Sequence, residues 1–579
     1  MKILVSTLKY FINEFVIIFC LIFLINNYIG KADKRIGADE VGYYEYLPSI
    51  FIHHDFVRKN DSVHQNPNLY HRINSINGVY VDYKGYKVNK YSGGTAFLQL
   101  PFFTYTCLTS KLEGNFNDGY QSAFQKSFFY IAIFYLFLSI LFLKKLLVLY
   151  DIKKHIIFFS QLILVLATSL TNYVNFDAGF SHIYSLFAIT AFLYFIKSFI
   201  KHQKMNHFVW ASVFLGLIFI LRQPNILIVF FIPFLAASVE NLKISFATLF
   251  KNTRDLLLSI LLFFAIISIQ FVFWYLQTGD FLVYSYQGES FNFLDPHFFS
   301  ILFSYKKGLF VYTPVLFIAS LSLIWFAYKK QYYLFFTWAG FFILLTYFLS
   351  SWWSWFYGCS YGLRAYIDFY VIFLIPFALM LDKLGKVSKL LIMGLSLFTI
   401  PLNIIQTYQF KEYILHWIDM DKEKYWKVFL KTDNQYKGLL FKNNFDKNQY
   451  YTVKEITIGD ISCPENSVTQ VLKISSTDIP DFDKASIIQV FIDNEYQETN
   501  QTKVSLSINK LNESHNYYWH ERYLIHFHQT KLNEWQTGLF NFEFEPITDH
   551  QDLEILLNVI TANQREHLKN IKLKILSTK

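Results

Sequence analysis

Long apolar runs separated by short lysine-rich segments fill the chain to about residue 408; beyond that point apolar and polar residues alternate singly. A bilayer's hydrocarbon is about 30 Å thick and a helix rises about 1.5 Å per residue, so roughly 20 consecutive apolar residues cross it. Residues 10–29, 126–148, 155–173, 183–199, two runs within 207–239, and then 255–277, 309–327, 332–350, 369–382 and 389–407 meet or approach that length. The pattern predicts a polytopic α-helical membrane protein, with about eleven transmembrane helices over residues 1–408.

Gly93 to Ser110 is also apolar but is interrupted by Pro101, and charge decides its placement. If it crossed, Lys144, Lys145, Lys153 and Lys154 would all face outside, against the bias of basic residues toward the cytoplasm. Laid along the surface as an amphipathic helix, it leaves those lysines inside. Residues 30–125 then form one external loop carrying surface-lying helices. Lys2 and Lys9 keep the N-terminus cytoplasmic, and the segments around Lys197, Lys201 and Lys204, Lys243, Lys251 and Arg254, Lys329 and Lys330, and Lys383, Lys386 and Lys389 fall inside as well. The first run has no small-residue cleavage site and is long enough to span, so it reads as a retained helix.

From residue 409 to 579 the period changes to two. Thr469 to Ile474, Ser486 to Ile492, Lys503 to Ile508, Tyr523 to Phe527, Leu539 to Phe544, Leu553 to Val559 and Lys572 to Leu576 alternate between polar turns. This predicts a C-terminal antiparallel β-sandwich, placed by the topology on the extracytoplasmic side. Tyr517, Tyr518 and Trp519 are of the kind that stacks on sugar rings, but packing inside the sandwich is the commoner role of strand aromatics.

Composition agrees with the spans. Of 579 residues 53% are hydrophobic, 20% aromatic and 16% charged, too apolar for a soluble chain of this length. The net charge of +9 sits mostly in loops between apolar runs, where membrane orientation requires it, so it does not point to nucleic acid. Cys20, Cys107, Cys359 and Cys463 lie far apart without a C-x-x-C pair, which indicates neither a zinc site nor a disulfide framework. Acidic residues do cluster, which leaves a divalent metal open, but no ligand spacing indicates one.

The unusual polar groups fall on one side of the predicted topology. The loop after the first run has Asp33, Asp39, Glu40 and Glu45; the next external loop has Asp177 and His182. Residues 278–308 carry Glu289, Asp295, His297, Lys306 and Lys307, and residues 351–368 carry Trp352, Trp353, Trp355, Arg364 and Asp368. Acids, bases and aromatics thus converge on the external leaflet, as around a cavity opening there. Simple alternatives exist for each: Asp33 is solvated, the tryptophans form an interfacial belt, and Lys306, Lys307 and Arg364 hold lipid headgroups.

The Asp-Glu-x-x-Tyr pattern of Asp39, Glu40 and Tyr43 resembles the GT-C superfamily of membrane glycosyltransferases, which includes protein O-mannosyltransferases and the aminoarabinose transferases of lipid A. Gly42 to Pro48, Lys90-Tyr91-Ser92-Gly93-Gly94, Ser181-His182-Ile183-Tyr184, Tyr305 to Phe310, and Gly358 to Arg364 follow in an order similar to that of a bacterial group within it. The resemblance covers residues 1 to about 430. It implies transfer, with inversion, of a sugar from a polyprenyl-phosphate donor to a glycan, lipid or protein acceptor on the outer side of the cell membrane, with no certain cofactor. By its pattern Asp39 is the general base; Glu40 stays open as an alternative, Asp177 is the plausible second acid, and Tyr43 and His182 contact substrate. Lys306, Lys307 and Arg364 would bind the donor phosphate, with Arg222 a weaker candidate that also suits a headgroup anchor. Desolvation at the membrane surface is expected to raise the Asp39 pKa into the range useful for a base.

The rival class is a transporter or flippase, which calls for similar halves and ionisable groups deep within spans. The sequence shows no repeat, and its charges sit in loops. A third reading, an anchoring protein with an external β domain, leaves Asp39 dispensable.

Overall fold

The computed structural model describes residues 2–31, 36–65, 79–114, 116, 118–441, 450–495, 502–510, 516–524, 535–544, 547, 552–561 and 565–578. Asp33 lies outside these residues. The chain divides into a helical unit, Met1–Lys411 with Trp417–Leu430, and a β unit, Glu412–His416 with Lys431–Lys579.

Among the described residues six helices are long and apolar enough to cross a bilayer: Tyr10–Ile29, Ser122–Val148, His182–His202, Thr253–Thr278, Tyr332–Ser350 and Lys386–Lys411. Shorter apolar helices, Lys154–Leu166, Met205–Leu221 and Pro314–Tyr328, occupy three more of the expected spans. The chain is a multi-pass membrane protein. Gly94–Leu112 is helical through Pro101 and is not among the six.

Several expected spans are broken, each for a local reason. The helix from Lys154 stops at Leu166, where the Thr168 hydroxyl turns back onto the Leu164 carbonyl at 2.6 Å, and resumes as Leu170–Asn175. The run from residue 309 opens with the single turn Leu309–Tyr312 and restarts at Pro314, which has no N–H for a continuing helix but suits a first turn. After Met205–Leu221 comes a tight 3-10 stretch, Gln223–Phe231, then Ile232–Ala236. The next helix, Val239–Lys251, leaves at 118°.

One expectation is corrected here: the charges are not confined to loops. Glu14 lies fully buried inside the first span. Its carboxylate accepts from Lys144 Nζ at 3.1 Å and from Gln161 Nε2 at 2.7 Å. A charge in that position is tolerated because Lys144 neutralises it and Gln161 hydrogen-bonds its other oxygen.

The β unit holds two four-stranded antiparallel sheets, in the orders β3-β10-β5-β8 and β4-β9-β6-β7. The strands are β3 Tyr450–Cys463, β4 Val468–Ser475, β5 Ala485–Glu495, β6 Lys503–Lys510, β7 Asn516–Tyr523, β8 Trp535–Glu543, β9 Leu553–Ile560 and β10 Glu566–Thr578; β1 Tyr80–Tyr83 and β2 Tyr86–Asn89 form a hairpin in the helical unit. Alternate residues such as Ile488, Val490, Leu506, Phe540, Leu557 and Leu573 form one core, which gives the strands their period of two. Of the strand expected over Tyr523 to Phe527, Tyr523 closes β7 and residues 525–527 lie outside the described residues. Tyr518 belongs to the core, while Trp519 is exposed.

Candidate active site

The first span ends at Ile29, and the short helix Asp39–Tyr44 follows it. Its first residue, Asp39, meets Arg364, which opens the 3-10 turn Arg364–Phe369. Arg364 Nη1 donates to Asp39 Oδ2 at 2.7 Å. Both side chains keep access to solvent, 17% for Arg364 and 24% for Asp39. The guanidinium also lies over the Phe180 ring, 5.3 Å from its centroid. Two groups proposed for separate tasks are therefore in direct contact across 325 positions of sequence.

This contact overturns the expected pKa shift. Burial does push the Asp39 carboxyl up, but the Arg364 charge, a hydrogen bond from Tyr91 and the Lys90 charge outweigh it. The net shift is downward, so Asp39 is ionised at neutral pH and is a weaker base while the pair stays closed.

Tyr91 is held on all sides. Its ring packs on Tyr43 at 4.7 Å, its N–H donates to Asn89 Oδ1 at 3.0 Å, and its carbonyl accepts from the Tyr46 hydroxyl at 2.6 Å. Asn89 in turn donates to the Gly42 carbonyl at 2.7 Å. Gly42 has no side chain because the Tyr91 ring occupies the place of a Cβ. Gly42→Ala is therefore expected to displace Tyr91 from Asp39 at an overpacking cost of about 1–3 kcal/mol. Thermal unfolding in detergent should show the loss. A Gly42→Ala protein as stable as wild type would mean that the ring moves aside freely.

Glu40 is distinguished from Asp39 by its surroundings. It is buried, and its Oε1 accepts the Gly179 N–H at 2.7 Å, which ties the Asp39–Tyr44 helix to the loop before His182. That contact is to backbone. Tyr43 accepts a hydrogen bond from Ser181 Oγ at 3.1 Å in the same loop. Asp177, half-buried, accepts from Asn172 Nδ2 at 2.6 Å and acts electrostatically on Lys307.

His182 belongs to a second cluster. Its Nδ1 lies 2.7 Å from Asp368 Oδ1, while Asp368 Oδ2 accepts from Asn225 Nδ2 at 2.7 Å and pairs with Arg222 Nη1 at 3.6 Å. Arg222 Nη1 is also 3.0 Å from His182 Nδ1. One nitrogen cannot both donate and accept; the shorter contact to a carboxylate makes Nδ1 the donor to Asp368, and the arginine lies close because it shares that carboxylate. Arg222, weighed as a headgroup anchor, is thus paired with a fully buried acid.

The two lysines part company. Lys307 is buried, and its ammonium donates to the Ser360 and Trp417 carbonyls, which fastens the loop before Arg364. Burial, aided by the Arg364 and Lys306 charges, pushes its pKa down to about 7. Its ammonium is thus engaged by carbonyl oxygens, whereas the sequence pattern assigns it to the donor phosphate. Lys306 sits 4.1 Å above the Phe356 ring.

Sequence reasoning had Asp368 and Arg222 only as single charges and missed Asn225; nothing in their spacing foretells that they meet. Lys90 and Tyr91 were read as part of a motif but given no role. Among the described residues no three His, Cys, Asp or Glu side chains gather as metal ligands.

No known protein family matches this sequence, and no curated protein does. The solved structures it resembles are distant. The oligosaccharyltransferase AglB from Archaeoglobus fulgidus, in complex with an inhibitory peptide and a dolichol-phosphate, is 10% identical over 73% of this chain and 58% of its own, with a TM-score of 0.39. The apo oligosaccharyltransferase from the same organism is 11% identical over 75% and 58%, with a TM-score of 0.38. The arabinosyltransferase EmbB from Mycobacterium smegmatis is 9% identical over 98% and 64%, with a TM-score of 0.34. This chain therefore spans less than two thirds of the length of each of these proteins.

Proposed function

We propose that this protein is an integral membrane glycosyltransferase of the GT-C type, moving a sugar from a polyprenyl-phosphate donor to an acceptor on the extracytoplasmic side. The observation that carries the reading is the Asp39–Arg364 pair, a carboxylate and a guanidinium brought together just beyond the first span. Sugar transfer from a lipid phosphate needs these two groups and at this level: a base for the acceptor, and a cation for the departing phosphate.

The pair also suggests an order of events. The donor phosphate competes with Asp39 for Arg364, since guanidinium binds phosphate through the same fork of donors. Once the arginine turns to the phosphate, Asp39 loses the charge that lowers its pKa and becomes the stronger base. It takes the acceptor's proton as the acceptor oxygen bonds to the anomeric carbon. The bond from that carbon to the phosphate oxygen breaks on the opposite face, so the configuration inverts, and polyprenyl phosphate leaves with the electron pair. The His182–Asp368–Arg222 cluster would support the phosphate side, and the β unit would meet the acceptor outside.

A flippase for the same lipid is the second reading, favoured by Glu14, which is buried inside the first span and paired with Lys144 of the helix Ser122–Val148. Wild-type protein in proteoliposomes with radiolabelled polyprenyl-phosphate sugars separates them. New glycoside together with free polyprenyl phosphate is the expected product; movement of intact donor between leaflets without cleavage would sink the enzyme reading.

A further inference from the structure

The helix Val239–Lys251 is too short to cross a membrane, and it exposes an apolar arc beside charged residues. Its 13 residues span about 20 Å, against about 30 Å of hydrocarbon, and it leaves the preceding helix at 118°. The bend is built in: Ala237 takes a left-handed conformation at φ 62°, and Ser238 Oγ caps the new helix by accepting the Asn241 N–H at 3.1 Å. The helix therefore runs across the direction of the one before it.

Its rotation is also set. Gln203 Nε2 donates to Ser245 Oγ at 3.1 Å, Thr248 Oγ1 donates to Gln203 Oε1 at 2.5 Å, and Asn241 Nδ2 donates to the Ala236 carbonyl at 2.9 Å. At about 100° per residue, Leu249, Leu242, Phe246, Val239 and Phe250 fall in one arc of roughly 100°. Leu242 and Leu249 pack on the core of the helical unit. Val239, Phe246 and Phe250 are bare, at 52%, 53% and 70% exposure. Beside that arc stand Lys243 and Lys251, with Glu240 between them around the helix and Lys204 and Arg254 nearby, all exposed, so cations outnumber the acid there. The next helix begins two residues later at Thr253, and its own bare Leu257, Leu261 and Phe264 continue the apolar surface.

We propose that Val239–Lys251 lies in the plane of one membrane face and docks on anionic lipid, with Phe246 and Phe250 in the acyl boundary and Lys243, Lys251 and Arg254 on headgroup phosphates. The occupant follows from the two halves of the surface. Aromatic side chains continuous with a spanning helix match the acyl boundary, and a fringe of exposed cations matches anionic headgroups. This placement is independent of the catalytic reading above.

The test uses the full chain in nanodiscs of phosphatidylcholine with and without phosphatidylglycerol. In a background with Cys20, Cys107, Cys359 and Cys463 changed to Ser, nitroxide labels go on Phe250→Cys and, separately, Glu240→Cys. The label at 250 should relax with oxygen and resist a water-soluble nickel chelate, and the label at 240 should do the reverse. Equal access of the chelate to both, or dipolar broadening at 250 from a second copy, overturns the proposal. In the second arm, native protein and the Lys243→Gln, Lys251→Gln, Arg254→Gln triple variant are titrated with phosphatidylglycerol in detergent. At about fivefold for each of the three cations, the variant should retain that lipid about 10²-fold more weakly. Unchanged retention would remove the anionic lipid as the partner.

Discussion

Asp39→Asn is expected to lower the rate of sugar transfer by about 10²–10⁴-fold, the usual worth of a general base. Asparagine keeps the size of the side chain and a partner for Tyr91, but it cannot take the acceptor's proton. A plain loss of rate would fit many roles, so the informative quantity is donor affinity. On the proposed mechanism the donor phosphate displaces Asp39 from Arg364, 2.7 Å away in this structure. The neutral amide no longer holds the guanidinium by charge, so the donor should bind more tightly to the variant while turning over far more slowly. Measuring kcat by transfer and Kd by titration with the polyprenyl-phosphate donor separates the two. Retained kcat removes Asp39 as the base; weakened donor binding would show that the pair does not compete with phosphate.

Arg364→Gln should cost about 10²–10³-fold in kcat/KM, since a donor aimed at developing charge is lost. It should also move the pH profile, with a definite sign. The wild-type Asp39 pKa is held below the ordinary carboxylate range because Arg364, the Tyr91 hydrogen bond and the Lys90 charge outweigh burial. In the free enzyme Asp39 therefore stays ionised to lower pH than an unpaired carboxylate, and the acid limb of kcat/KM lies correspondingly low. With glutamine at 364, burial is opposed only by Tyr91 and Lys90, so protonation begins at higher pH and the acid limb shifts upward. The same sign holds for stability. The pair stabilises the fold fully above the unfolded-state pKa of Asp39, and that contribution fades as pH falls through the depressed folded-state value. Arg364→Lys restores the charge but not the fork, so it should return the acid limb while leaving kcat/KM low. An acid limb that stays in place in Arg364→Gln would mean that Asp39 is not the titrating group.

Much of this architecture is legible along the chain because it depends on local runs. An apolar stretch such as Thr253–Thr278 must be helical in lipid whatever its neighbours do, and strands such as β5 and β9 show their inward residues at every second position. The breaks were less legible. Leu166, Thr313 and Ala237 interrupt apolar sequence, and only a side-chain bond, a proline's missing N–H or a left-handed residue shows where.

Sequence order thus established a membrane-embedded helical part, an alternating C-terminal part, and Asp39 as an acid just past the first span. Folding settled what Asp39 does next to its neighbours. Asp39 and Glu40 are adjacent, yet one faces Arg364 and the other the Gly179 N–H, because successive residues of a helical turn point about 100° apart into different surroundings. Lys306 and Lys307 diverge in the same way, one over an aromatic ring and the other on two carbonyls. Charge, burial and hydrogen bonding act through space over a few ångströms, and the residues that exert them on Asp39 arrive from positions 90, 91 and 364.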